Sequence, residues 1–530
     1  MPFDMSAQDE FKPSSFFEYI LTYHRGLFAT IFLLPVSVVY SFYLNTRNRI
    51  VFLMHSAPAK HTERVKRVQQ QMMDWAKEGS EQKLCTARSG WFTMSDSVPG
   101  YKQTHRNISV NLHDILDVNE QHRVVRVEPL ATMGQITATL NPLGWTLPVV
   151  PELDDLTVGG LINGFGVESS SHKYGLFQFI CESFEIVTAD GTVAQCSKNE
   201  NVALFYAIPW SHGTLGFLVS ATLKIIPAKK YVKLHYQPVY SLDELTELFE
   251  RESRGTEKNQ FVEALMYGQN SAVVMTGVLT DERNDDTPIN SIGYFWKPFF
   301  YRHAEKYLLK KKTGYEYIPL RDYYHRHTRG LFWEMESIIP FSNQSLFRYL
   351  LGWSLPPKIP LLKYTETETT RRLRDTYHVV QDMLMPMVHL KKSLLYFHEQ
   401  YNIYPIWLSP MAIYDNEKQA GFIHPYQLAD GSKDPMFVDV GAYGNPMKRP
   451  FDGLSALREL EKFVIENKGY QALYAKTLMS REQFRTMFDH SDYDKLREEL
   501  PLCTHAFNEV YDKVSSKARL APVDARRGKV

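Results

Sequence analysis

Cysteine is scarce in this 530-residue chain: Cys85, Cys181, Cys196 and Cys503 stand far apart and form no C-x-x-C pair. That scatter argues against a disulfide scaffold and a cysteine-type zinc site, and makes a reducing compartment the simpler reading. Net charge is absent as well, 60 Lys+Arg offsetting 60 Asp+Glu, which argues against nucleic acid as a principal partner. No G-x-G-x-x-G follows a strand-like run and no G-x-x-x-x-G-K-[ST] occurs, so neither the Rossmann nor the P-loop reading holds. No internal repeat or low-complexity tract interrupts the chain. His325 and His327 have no third ligand signalled nearby, so no metal site is expected.

Glycine is concentrated in one place. The run from Pro148 to His172 holds Gly159, Gly160, Gly164 and Gly166, followed by three serines at 169–171. Glycine lets backbone N–H groups approach a ligand that any Cβ would repel, and successive N–H groups form nests suited to a pyrophosphate. The bland alternative is a glycine-rich turn in an ordinary β-rich domain. The flanks favour the ligand reading. Phe184 to Ala194 reads as strand, Asp190-Gly191 turn, strand. A second loop, Pro209 to Phe217, feeds the apolar run Leu218 to Pro227, and Met133 to Leu140 reads as a short amphipathic helix after the strand-like Val124 to Val127.

This order resembles the FAD-binding domain of the vanillyl-alcohol oxidase and para-cresol methylhydroxylase (PCMH) superfamily over about residues 85 to 227. Longer strings are similar to the delta(24)-sterol reductases, also called Diminuto or Dwarf1-like proteins: Pro151-Glu-Leu-Asp-Asp-Leu-Thr-Val-Gly-Gly-Leu161, Glu168 to Phe177, Ile226 to Leu234, Glu316 to Arg329, Val379 to Leu384, Tyr404 to Leu408 and Gly441 to Gly444. The resemblance implies an α+β fold: a PCMH-type FAD-binding domain of two α+β subdomains, an α+β cap that binds the substrate, and one N-terminal transmembrane helix. It implies reduction of the C24=C25 side-chain bond of sterols such as desmosterol, on FAD, with NADPH as electron source. The expected layout is an anchor segment over 1–50, the flavin domain over 51–230, the cap over 231–465 and a segment over 466–530 that returns to the flavin domain. Two rivals stay open: an alcohol or lactone oxidase on the same fold, and a noncatalytic flavin-binding sterol scaffold.

For the cofactor, the resemblance points to Thr157, Val158, Gly159, Gly160, Leu161, Ile162, Asn163, Gly164, Phe165, Gly166, Val167, Glu168 and Ser169, with Thr214 and Gly216 of the second loop. Glu152, Asp154 and Asp155 sit beside them as helix caps or as acceptors for ribose and ribityl hydroxyls. The loop at Arg88 and Gly90 occupies the place where many relatives carry Arg-x-Gly-Gly-His and bond FAD covalently through the histidine. Here Trp91-Phe92 stands where Gly-His would be, so noncovalent FAD is expected.

Upstream, Gly26 to Thr46 carries no charged residue, at about 1.5 Å per residue roughly enough helix for a hydrocarbon core of about 30 Å. A cleaved signal peptide is the rival, but the stretch begins late, is long, and has its small-x-small site, Ala57-Pro58-Ala59, well past its end. Basic residues follow the span (Arg47, Arg49, Lys60, Arg64, Lys66, Arg67) rather than precede it (Lys12, Arg25), placing the body in the cytosol as a single-pass protein. The expected location is the endoplasmic reticulum membrane or the Golgi membrane. The basic stretch 62–77 reads as a helical linker. Oligomeric state is not legible.

The implied reaction makes its own demand. An isolated alkene has no carbonyl to polarise, so a general acid must protonate C24 while hydride reaches C25. That acid must face an apolar pocket that keeps it protonated. Tyr474, Glu316 and His327 are the candidates, the first two because the strands that hold them resemble flavin-facing strands of relatives and His327 because it lies on a cap strand expected to face the ring. Tyr323 to Arg329 reads as an alternating strand, and about Thr369 to Met385 as helix.

Overall fold

The computed structural model describes residues 13, 15–79, 81–88, 100–414 and 421–515. Its helical N-terminal stretch, Arg25–Leu53, is 29 residues long, so at about 1.5 Å per residue it exceeds the roughly 30 Å of a hydrocarbon core. Pro35 has no N–H to give to the preceding turn, and a π-turn over Ala29–Leu33 absorbs its ring without breaking the helix. His55, at φ 47°, turns the chain into the helix Ser56–Lys77. That helix is packed rather than a free linker. It buries Val65, Val68, Met72 and Trp75, and its Arg64 donates to Asp114 at 2.9 Å and to Glu128 at 3.1 Å. Arg47 also pairs with Asp114, at 2.8 Å. Two of the basic residues that follow the span therefore serve the packing of the body.

The first domain is built on a five-stranded antiparallel sheet in the order Ile115–Asn119, Val124–Val127, Phe217–Lys224, Cys181–Val187, Val193–Ser197. The Asp190-Gly191 turn forms as expected: the Asp190 carboxylate accepts from the Thr192 N–H at 3.1 Å, and Gly191 sits at φ 86°. Thr132 caps the helix Met133–Leu140 through the Gln135 N–H.

The second domain is an eight-stranded antiparallel sheet in the order Gly314–Pro319, Tyr231–Val239, Ser271–Thr280, Phe261–Gly268, Ile406–Ala412, Met436–Gly444, Val379–Pro386, Tyr470–Gln471. Because side chains alternate along strands, the registers place Glu316, Tyr236, Glu263, Trp407, Asp439 and Asp382 on one face. Three expectations change here. The stretch 369–385 is a helix, Glu368–Tyr377, followed by the strand Val379–Pro386. Residues 323–329 are no strand: the helix Leu320–Tyr324 ends and turns carry the chain through Arg326 and His327. The Tyr470–Gln471 strand pairs with Met383 and Leu384, so the cap sheet runs past residue 465 before the chain returns. The returning helices then dock on the first domain, Tyr493 bonding Thr214 and Arg497 donating to the Thr214 carbonyl.

The two domains are interleaved. The Phe261 and Ile406 strands pair over Ala264–Met266, and beyond that pairing the 168–171 loop approaches, the Val262 N–H donating to the Ser169 carbonyl at 2.8 Å.

Candidate functional site

The glycine-rich stretch folds as the short helix Val158–Asn163, started by Thr157. Val158, Leu161 and Ile162 are its buried face, while Gly160 is exposed on the other. The glycines divide by what surrounds them. A Cβ on Gly159 would lie 2.8 Å from Pro129 Cβ, and one on Gly166 2.9 Å from Leu161 and Phe177; these are packing glycines. On Gly160 a Cβ would meet, among the described residues, only the Thr157 hydroxyl, at 3.0 Å. That exposed side is the candidate cofactor groove. Asn163 borders it, its side-chain oxygen accepting from the Gly213 N–H at 3.0 Å.

The groove has an electrostatic demand. Arg88 donates to the Thr157 hydroxyl at 3.4 Å, Lys102 donates to the Thr86 and Arg88 carbonyls, and Lys513 donates to the His212 carbonyl. Burial lowers all three cations, Lys513 to about 8 with Lys102 adding to the effect. Among the described residues neither lysine has a carboxylate within ion-pair distance. Half-buried lysines that lack a carboxylate partner among the described residues fit a pyrophosphate, which is what FAD would place beside a helix whose free side bears Gly160. Replacing Lys513 by methionine should weaken FAD binding by about 10- to 100-fold, the worth of one charge-assisted contact. Melting of the apoprotein should be unimpaired, since a costly buried charge is removed. Titration of apoprotein with FAD checks this, and an unchanged affinity would assign Lys513 to packing alone.

Not every residue read as a cofactor contact faces this groove. The Thr214 hydroxyl bonds the Ser211 carbonyl and Tyr493, and a Cβ on Gly216 would strike the Val187 carbonyl at 2.8 Å; both hold the returning helices and the sheet. The Glu168 carboxylate takes Arg326 at 2.7 Å, and the Ser169 hydroxyl bonds Tyr323 at 3.0 Å, so these two join the domains. Gly90, with Trp91 and Phe92, lies outside the described residues.

Across the domain boundary stands a cluster of buried acids. Arg326 grips Glu263 with two bonds of 2.8 Å while also holding Glu168, and Trp407 donates to Glu263 at 2.9 Å. Burial alone would raise Glu263, but the charge and hydrogen bonds of Arg326 together with those of His327 outweigh it and hold the carboxyl down at about 2. Farther along the face the balance reverses. Asp382 is pushed up by burial to about 6, although it accepts from Tyr443 at 2.5 Å and from Tyr474. Asp439 is raised well above the usual range by burial and by the charges of Asp382 and Glu152. Glu152, from the flavin domain, is raised to about 8 by burial and by Glu168. Both oxygens of Asp439, its cross-strand neighbour Ser409 Oγ, Glu168 Oε2 and His327 Nδ1 are buried with no hydrogen-bond partner among the described residues. Unpaired polar atoms at this density mark a place that a bound molecule or water completes.

Of the three acid candidates the structure brings one into this cluster as a donor. Tyr474 is there, held by Asp382. His327 is adjacent but stacked on Phe332 at 4.3 Å, 3.5 Å from Glu263, and lowered by burial to about 4, so it is neutral. Glu316 lies six strand spacings from the Val379 strand, about 29 Å at about 4.8 Å per spacing, where it bonds Tyr236, Asn290 and His303. Asp382, Asp439, Lys102 and Lys513 were not singled out from sequence. Asp382 lay in the stretch read as helix, and the lysines lie far in sequence from any glycine motif.

Glu152 makes a pH test. Its proton is held in the folded state up to about 8 against 4.5 for an ordinary glutamate, so between these values the folded chain binds more protons than the unfolded one and stability falls as pH rises. The slope approaches about 1.4 kcal/mol per pH unit. Glu152→Gln should flatten the decline in melting temperature from pH 5 to 8, and an unchanged decline would show the carboxyl to be ionised throughout.

Residues 71–197 match the FAD binding domain family. The chain is 52% identical over 502 residues to the Delta(24)-sterol reductase of Mus musculus, covering 95% of each chain. It is 44% identical over 515 residues to the Delta(24)-sterol reductase homolog dhcr-24 of Caenorhabditis elegans, covering 95% of this chain and 96% of that one. A stretch of 185 residues, 35% of this chain and 40% of the relative, is 24% identical to the L-gulonolactone oxidase of Bos taurus.

Proposed function

Because the chain belongs to the Delta(24)-sterol reductase family, we propose that it reduces the C24=C25 bond of a sterol side chain, desmosterol to cholesterol in type, with FAD as its cofactor and NADPH as electron donor. The observation that carries the chemistry is a pair of acids, Asp382 and Asp439, both raised by burial and facing the flavin domain from the cap sheet. FAD, when bound, supplies the hydride that C25 receives.

The protein's own task is the proton. Tyr474 gives its phenolic proton to C24, and the phenolate left beside Asp382 recovers a proton from solvent. Tyr443 holds Asp382 in place, so the acid cannot swing away from Tyr474. Phe332, Trp333 and Trp407 close the cap side of the cluster with ring centroids 5.1 to 5.8 Å apart, and their faces favour a passing cation. Arg88, Lys102, Lys513 and the free side of Gly160 hold the pyrophosphate.

The helix Arg25–Leu53 keeps the enzyme at the membrane from which a sterol must be collected, the body resting on the cytosolic face of the endoplasmic reticulum with this helix packed along it. Purified protein given desmosterol and NADPH without oxygen should yield cholesterol, and acid denaturation should release free flavin because no histidine stands at 91 or 92. The likeness to an L-gulonolactone oxidase favours a second reading, a lactone oxidase; consumption of oxygen with such a substrate and no sterol turnover would select it.

A further inference from the structure

We propose that the cap carries a second membrane-seating surface, made by residues 345–353, which sinks into the bilayer beside the N-terminal helix. The helix Ser345–Leu351 and the turn Gly352–Ser354 show an unusual inversion. Phe347 is buried, but Leu346 is 72% exposed, Tyr349 and Leu350 63% each and Trp353 55%. Four large apolar side chains on so short a stretch exceed the scattered single exposures normal for a soluble surface.

What covers them is argued by continuity. The turn Gly352–Ser354 packs on the helix Leu34–Leu53, the Lys358 N–H donates to Ser37 Oγ at 2.8 Å, and Arg25 donates to the Leu362 carbonyl at 2.9 Å. A Cβ on Gly26 would lie 3.0 Å from the Ile338 carbonyl. Wherever the apolar helix lies in lipid, this part of the cap lies with it. The outward side of that helix, with Ile31, Phe32, Val39 and Phe42 at 55 to 73% exposure, extends the same apolar surface. Charge agrees: Lys306 lies within the fields of Arg348, Lys310 and Lys297, a basic rim beside an apolar face, as an amphipathic segment in an anionic lipid surface requires. Trp353 and Tyr349 supply the amphipathic rings enriched at that depth. A sterol leaving the bilayer beside this surface would already be at the cap.

The test uses the full chain in phosphatidylcholine vesicles containing phosphatidylserine. All four native cysteines are buried, so Leu350→Cys can carry an environment-sensitive fluorophore, with Tyr349→Cys as a second position should the first variant misfold and Glu247→Cys as an exposed control. Lipids bearing a nitroxide on the acyl chain should quench the label at 350 or 349 several-fold and shift its emission to the blue, while the label at 247 stays unquenched. A label at 350 and 349 that stays unquenched while the protein sediments with the vesicles would overturn the proposal. So would disulfide-linked dimers formed by unlabelled Leu350→Cys protein, which would make this face a contact between two copies. Neither readout depends on catalysis, so failure here is separable from failure of the sterol assay.

Discussion

Gly160→Val should purify as a folded protein without flavin. The glycine occupies the exposed side of the helix Val158–Asn163, and among the described residues its Cβ direction meets only the Thr157 hydroxyl, at 3.0 Å, so the apoprotein can accommodate a branched side chain by a small shift of that hydroxyl, with a helix-propensity change of about 0.5 kcal/mol or less. The same side chain fills the groove where backbone must meet the pyrophosphate. Gly159→Val provides the contrast, since there the clash is with Pro129 and the helix itself cannot seat. Flavin absorbance per protein should fall to about a tenth or less in the Gly160 variant while its circular dichroism and melting stay near the parent's; the Gly159 variant should lose both. Normal flavin content in Gly160→Val would show the groove to be a structural turn.

That contrast marks how far the sequence can be read. Local rules placed the Asp190-Gly191 hairpin, the helix after Thr132 and the apolar helix, because each depends on neighbours in the chain: a turn residue at φ 86°, a capping hydroxyl, an uncharged run. They failed at Val379–Pro386, where Val-Val-Gln-Asp-Met-Leu-Met-Pro shows no alternation and carries helix-favouring Gln, Met and Leu. The strand is last but one in its sheet yet buried on both faces, so burial rather than period decides its residues. They failed again at 323–329, where a polar-aromatic alternation is a helix end and a turn. There Arg326 leaves the turn to join Glu168 to Glu263, a contact spanning three segments that no window of sequence contains.

The cofactor side divides in the same way. Density of glycine located the site, yet which glycine meets ligand and which meets Pro129 is a property of the partner segment. The cations that complete the groove come from residues 88, 102 and 513, and the last is brought there by helices that return after the cap. Resemblance to the superfamily supplied the architecture; the charge balance of the groove comes from the packing.

The acid cluster yields the sharpest expectation, because its members divide one reaction into two halves. Oxidation of NADPH needs no proton at C24, so Tyr474→Phe and Asp439→Asn should leave flavin reduction near its normal rate. Reoxidation by desmosterol needs that proton, and it should slow by about 10²- to 10⁴-fold, the worth of a positioned general acid. Phenylalanine keeps the ring of Tyr474 and removes its bond to Asp382, whereas asparagine keeps the shape of Asp439 and removes the proton that burial holds there. Glu316→Gln serves as the control, since Glu316 bonds Tyr236 and His303 at the far end of the sheet and should change neither half. Stopped-flow measurement of each half-reaction distinguishes the outcomes. Slowing confined to reoxidation in both variants places the proton in this cluster, equal slowing of both halves would mean that the cluster positions the flavin instead, and a slow reoxidation in Glu316→Gln would move the acid to the other end of the sheet.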